Sequence, residues 1–225
     1  MLISTSHKFI FVHVPKSAGS SVTAVLRPYC LPKNRTIWRR LSSFLPMREN
    51  VEKVYFRQHE TAVKIRAKLG PQVFDVFVSF AIVRNPFDHA VSLFEFLKKQ
   101  TARNSGRVAA ELNFKEFMQL RSKPQGFALE ESPLKMADQA SRLVDKNGQI
   151  IVTDVLQLEK LAEEFPQLCR KLGLPTIEMV VKNASRRDAI EQYYDAATVT
   201  LVQQHYARDF ALFGYDTAPG FAVAN

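Results

Sequence analysis

From Val76 to Val83 the chain reads Val-Phe-Val-Ser-Phe-Ala-Ile-Val, a run with one polar side chain. A strand with one wetted face alternates apolar and polar residues, so a run this continuous needs cover on both faces, which is the habit of a parallel strand. Arg84-Asn85-Pro86 ends it, with Asn85 suited to a helix N-cap and Pro86 to the first helical position. Val91, Phe94 and Leu97 then mark a helix to about Gln100.

The same grammar recurs along the chain. Lys8 to Val14 predicts a strand that stops at Pro15-Lys16-Ser17-Ala18-Gly19, and Ser20 to Leu26 a helix that Pro28 ends. Helical spacing from Glu60 through Ala62, Ile65 and Leu69 stops at Gly70-Pro71. Gln149 to Val155 reads as a second buried strand, followed by a helix through Leu158, Leu161, Phe165, Leu168 and Leu172 with a stop at Gly173. Residues 28–56 read as an irregular excursion and 101–113 as a loop. Phe114 to Leu120, Pro133 to Val144 and segments of Arg187 to Phe213 read as helices. Strands alternating with helices predict a three-layer α/β fold around a mostly parallel central sheet. With no internal repeat or linker, residues 1–225 are expected to form a single domain.

Charge narrows the partners. Thirty-one Lys and Arg against 22 Asp and Glu leave +9, a surplus that attracts polyanions such as nucleic acid, sulfated glycans, anionic membrane or a multiply phosphorylated nucleotide without choosing among them. The short basic groups Trp38-Arg39-Arg40 and Ser185-Arg186-Arg187 read as solvated surface. Cys30 and Cys169 have neither metal spacing nor a disulfide framework, so no metal site is expected and a reducing compartment fits. The apolar runs fall well short of the ~20 residues of a membrane helix, and no cleavable leader is visible, so a chain without a membrane anchor, in the cytoplasm, is expected.

Two motifs carry chemistry. Pro15-Lys16-Ser17-Ala18-Gly19-Ser20-Ser21 joins a strand to a helix N-terminus, where unpaired N–H groups and the positive end of the helix dipole favour an anion. It is not a Walker A loop, because Lys16 precedes Gly19 and the hydroxyls of Ser20 and Ser21 follow it. The second motif delivers Arg84 at the C-terminal end of a buried strand, where open α/β sheets bind ligands, with Ser92 two turns into the next helix. Together Arg84 and Ser92 suit one phosphate.

The stretch 11–21, Phe-Val-His-Val-Pro-Lys-Ser-Ala-Gly-Ser-Ser, resembles the 5′-phosphosulfate loop of the family-2 carbohydrate sulfotransferases, which include uronosyl 2-O- and chondroitin-type enzymes. Val83-Arg84-Asn85-Pro86-Phe87-Asp88 with Ser92 resembles their 3′-phosphate strand and helix. The resemblance implies a P-loop-like fold and a soluble bacterial-type member that uses 3′-phosphoadenosine 5′-phosphosulfate (PAPS). Lys16, Ser17, Ala18, Gly19, Ser20 and Ser21 would grip the 5′-phosphosulfate, with Lys16 stabilising charge on the departing oxygen, and Arg84 and Ser92 would hold the 3′-phosphate. His59, in Gln58-His59-Glu60, resembles the segment that supplies the base such a transfer needs, with Glu60 as its substitute. His13 reads as packing in the first strand and His89 as a surface cation. Asn183 and Ser185 lie in a segment that approaches the nucleotide in the family, without assigned contacts.

The acceptor that the resemblance implies is a hydroxyl of a saccharide, with residues 28–56 and 101–135 as its cleft; nucleic acid is not expected. Two other readings stay open. A P-loop nucleotide kinase or phosphotransferase needs a Mg-binding Ser or Thr after the loop Lys and a preference for nucleoside triphosphates; a non-enzymatic binder of sulfated glycan or nucleic acid needs only the basic surface, so its binding would weaken steeply with salt and survive loss of His59.

Overall fold

The computed structural model describes residues 1–31, 50–52, 56–122, 138–177, 179 and 190–223. In chain order the strands are β1 (Leu2–Ser4), β2 (Phe9–Val12), β3 (Val78–Val83) and β4 (Asp154–Gln157). The helices are α1 (Gly19–Leu26), α2 (Ala62–Leu69), α3 (Pro71–Phe74), α4 (Pro86–Lys98), α5 (Asn104–Glu111), α6 (Phe114–Ser122), α7 (Leu161–Lys171), α8 (Ala196–His205) and α9 (Ala207–Phe213). They form a mixed α/β structure in which helices flank a mostly parallel four-stranded sheet. The chain gathers into two compact units, Met1–Val83 with Ser141–Lys182 and Arg84–Ala140 with Asn183–Asn225, each with a core of its own.

The first unit holds the sheet, ordered β1-β2-β3-β4. β1 runs antiparallel to β2, while β2 with β3 and β3 with β4 are parallel, with Phe11 opposite Phe80 and Ile82 opposite Leu156. This register puts Leu2, Phe9, Phe11, Phe80, Ile82 and Leu156 on one face, packed with Val22 and Leu26 of α1 and Leu161, Phe165 and Leu168 of α7. Ile10, Val12, Ala81 and Val83 on the other face are buried as well, so β3 is covered on both sides as its unbroken apolar run requires. The rings of Phe11 and Phe80 stack at 5.2 Å between centroids. Each fully buried Phe contributes about 1.5–3 kcal/mol over an exposed one.

The second unit is helical and aromatic. Asn85 caps α4 by accepting from the Phe87 N–H at 3.0 Å, and Pro86 opens the helix. Phe87, Val91 and Phe94 of α4 pack with Phe114 and Phe117 of α6, Val202 of α8 and Phe210 of α9. The hydroxyls of Tyr194 and Tyr206 are paired inside this core, where an unmet hydroxyl costs about 1–3 kcal/mol. The Tyr194 hydroxyl donates to the Phe87 carbonyl at 2.7 Å, and the Tyr206 hydroxyl lies 3.1 Å from His89 Nδ1 and accepts from Arg121 at 3.3 Å. His89 is therefore a core group and not the surface cation expected of it.

Other expectations shift. The first strand is shorter than 8–14, and β1 precedes it; three residues offer too little pattern to be read. The strand expected over 149–155 lies at Asp154–Gln157, because Ile150 is spent on a bridge to Val144. The expected loop at 101–113 contains α5, whose buried positions are Ser105, Gly106 and Ala109. Small residues give no hydrophobic stripe, yet they are what this helix needs: a Cβ on Gly106 would lie 2.1 Å from the Gln100 carbonyl oxygen. Of the helix expected over 133–144, residues 133–137 lie outside the described residues and Ala140–Arg142 form a 3-10 turn. Most of the 28–56 excursion, both short basic groups and residues 123–135 of the expected cleft also lie outside them.

Candidate active site

The Pro15–Ser21 loop leaves β2 through a sharp turn. Lys16 (φ 65°) and Ala18 (φ 54°), neither of them glycine, both take left-handed backbone. Such a conformation costs about 1–3 kcal/mol per residue and persists where the surroundings impose it. Turns of this hand set successive N–H groups toward one side, a concavity that suits an anion. Ala18 is the N-cap of α1 and no side chain caps that end. Ser17 is buried, Lys16 and Ser21 are half-buried and Ser20 is exposed.

Two histidines meet beside this loop. The ring of His13, immediately after β2, lies against Gly19, where a Cβ would sit 1.7 Å from His13 Nε2. The His13 and His59 ring centroids are 4.6 Å apart. Burial, and then the nearby Arg142 charge, push the His59 ring down to about 4, so it is neutral at pH 7. Its Nδ1 is buried with no hydrogen-bond partner. Arg142 Nη1 donates to the His59 carbonyl and so fixes the backbone of that residue. His13 and Arg142 were not read from the sequence as part of a site; glycine at the first position of α1 was the one available signal of a close approach.

Glu60 is engaged elsewhere. Its carboxylate pairs with buried Lys68 at 3.0 Å and accepts from the Arg57 N–H at 3.0 Å. Lys68 also lies 5.4 Å over the Phe56 ring. This buried pair ties the His59 segment to α2.

In the second unit, Arg84 follows β3 and its guanidinium holds the Asp88 carboxylate through Nε and Nη2. Asp88 and Ser92 are four apart on α4 and share a face, so Ser92 stands one turn beyond the carboxylate that orients Arg84. Lys16, Ser17, Ala18, Gly19, Ser20, Ser21 and His59 belong to the first unit, and Arg84 and Ser92 to the second. Asn183 and Ser185 lie outside the described residues.

A model of the family described as "Sulfotransferase family" matches residues 1–216, nearly the whole chain and every residue placed above. The chain belongs to the sulfotransferase family. A crystal structure of a sulfotransferase from Alicyclobacillus acidocaldarius aligns over 93% of this chain and 96% of its own, at 16% identity and a TM-score of 0.47. No curated protein matches the chain. As a family member the chain is a transferase of sulfuryl groups, and its relatives generally use PAPS as donor and a hydroxyl-bearing acceptor. Among the described residues no cluster of His, Cys, Asp and Glu is grouped to hold a metal, and no helix is long and apolar enough to cross a membrane.

Proposed function

We propose that this sulfotransferase takes its sulfuryl group from PAPS and transfers it to a saccharide hydroxyl, with residues 1–225 working as one domain in the cytoplasm. The observation that carries the donor assignment is the Lys16 and Ala18 backbone beside an α1 end that no side chain caps. That arrangement suits a phosphosulfate, and the residues fit the group. Bound PAPS supplies a sulfuryl group on a good leaving phosphate.

The chain's own residues do the rest. The N–H groups of 16–21, with the Ser20 and Ser21 hydroxyls, hold the 5′ end, and Lys16 Nζ stabilises negative charge on the departing oxygen. Arg84 and Ser92 hold the 3′-phosphate, the group that separates this donor from ordinary adenine nucleotides. His59 takes the acceptor proton: the ring is neutral at pH 7, the form that a base needs. His59 is favoured over Glu60 because the Glu60 carboxylate is already committed to Lys68 and the Arg57 N–H. The in-line transfer needs no metal. The saccharide rests on resemblance to carbohydrate sulfotransferases, and the basic balance of the chain suits an anionic glycan.

The test is transfer of label from radiolabelled PAPS to a panel of neutral and anionic oligosaccharides. Label moving to a sugar with wild type, and about 100- to 10,000-fold more slowly with His59→Ala, is the expected result. Label moving only to non-carbohydrate hydroxyls would overturn the saccharide; unchanged turnover in His59→Ala would overturn the base.

A further inference from the structure

Arg84 is held by its backbone as well as by Asp88. The side-chain amide of Gln139 accepts from the Arg84 N–H through Oε1 at 2.9 Å and donates to the Arg84 carbonyl through Nε2 at 2.7 Å. It thus meets both main-chain groups of a residue just past the end of β3, as a neighbouring strand would. The same Nε2 donates to Asp209 at 3.0 Å, and the carboxylate of Asp209 also accepts from the N–H groups of Gln139 at 2.9 Å and Ala140 at 2.8 Å. Turning the Gln139 amide over would set its oxygen against the Arg84 carbonyl and the Asp209 carboxylate, both acceptors, so the network permits one orientation. Gln139 and Asp209 are buried, at 2% and 0% exposure. Next to them Arg208 grips Asp138 with two bonds of 2.7 Å, which pins the 138–140 segment to α9.

A fixed amide and a buried carboxylate are a costly way to hold a loop, because an acid inside a protein must have its hydrogen bonds met. Here two of the Gln139 amide bonds meet the residue read as the phosphate ligand, and a third ties that amide to Asp209. We propose that Gln139, oriented by Asp209, is a positioning residue that sets Arg84 for a 3′-phosphate and so determines the preference for 3′-phosphorylated nucleotides. This rests on the reading of Arg84 as the 3′-phosphate ligand. A guanidinium aimed by Asp88 alone would turn with its main chain; with the Arg84 backbone clamped on both sides, its reach is fixed before the nucleotide arrives. Neither Gln139 nor Asp209 touches the nucleotide in this scheme, so each acts through Arg84.

The experiment compares the affinities of adenosine 3′,5′-bisphosphate and 5′-AMP for wild type, Gln139→Met, Arg84→Ala and the double variant. Gln139→Met is expected to cut the preference for the bisphosphate about tenfold, to leave 5′-AMP affinity unchanged, and to have no further effect once Arg84 is alanine. Equal weakening of both nucleotides, or an undiminished effect in the Arg84→Ala background, would overturn the positioning role and leave Arg84 as ligand. A wild type with no preference for the bisphosphate overturns the reading of Arg84 itself. Should Gln139→Met not fold, amide exchange in the wild type decides. Exchange at the Arg84 N–H of the nucleotide-free protein slowed at least about a hundredfold below the rate of an unstructured amide supports the clamp, and exchange at the unstructured rate overturns it.

Discussion

Gly19→Ala reads out the close approach of His13 to the first turn of α1. Gly19 is not held at positive φ, so in a helix a methyl group there would ordinarily stabilise by about 0.4–1 kcal/mol through the unfolded chain. The structure reverses the sign. The added Cβ would lie 1.7 Å from His13 Nε2, 2.1 Å from Cδ2 and 2.7 Å from Cε1, all well inside contact distance. The obstacle is a whole ring on a buried residue at the end of a strand, with the His59 ring 4.6 Å away from it, so the clash cannot be relieved by a small swing of a side-chain tip. Overpacking of this kind costs about 1–3 kcal/mol, and the net expectation is a destabilisation of that size in urea unfolding. Removing the ring should remove the penalty: in a His13→Ala background Gly19→Ala should be neutral or mildly stabilising, a coupling of about 2 kcal/mol. Turnover should fall in the single variant more than stability alone explains, because the displaced ring moves into the His59 side of the site. A stabilised Gly19→Ala protein, or costs that simply add with His13→Ala, would refute the packing of His13 on this helix.

Three further outcomes follow from named contacts. His59, held down near 4 by burial and then by Arg142, binds fewer protons folded than unfolded between pH 6.5 and 4, so its contribution to stability is lost as pH falls through that window. The shift corresponds to about 3 kcal/mol, reduced to about 1–2 by the ring's partial exposure, and His59→Ala should remove this acid sensitivity in unfolding curves. Asp209 works the other way. Burial raises its carboxyl to about 6 against the lowering effect of the Ala140 and Gln139 N–H groups, so its folded form takes up a proton as pH falls through 6 and stability is gained. Asp209→Asn should therefore steepen the loss of stability between pH 6 and 4. Breaking the buried Glu60–Lys68 pair with Lys68→Ala should cost about 3–5 kcal/mol, whereas Glu60→Leu with Lys68→Met should cost much less; equal losses would show that the pair is not the source.

What the sequence made legible is what repeats or punctuates. The apolar run of β3, the Asn85-Pro86 start of α4 and the strand-to-helix passage through Pro15–Ser21 each follow from local rules and appear where expected, except that β3 begins at Val78 and leaves Val76 exposed. The rest depends on groups far apart in the chain. α5 was hidden because its inward face is Ser105, Gly106 and Ala109, chosen for closeness and not for hydrophobicity. His13 was read as packing, and it does pack, but what it packs on is Gly19 and His59, a meeting that only the turn out of β2 creates. Gln139 lies 55 residues from Arg84 and Asp209 another 70 from Gln139, both in stretches whose helical pattern marks their apolar faces, so nothing local marks these polar residues as partners. The resemblance put a surface cation at the position of His89; its pairing with Tyr206 shows that this position turns inward.

The donor site is the centre of this picture, and titration calorimetry tests it most directly. Adenosine 3′,5′-bisphosphate and ADP are titrated, without metal, into wild type and Arg84→Ala. A strong preference for the bisphosphate in wild type that disappears in Arg84→Ala is the result expected of a PAPS-dependent sulfotransferase. Equal affinity for the two nucleotides, or no binding of either, would contradict it.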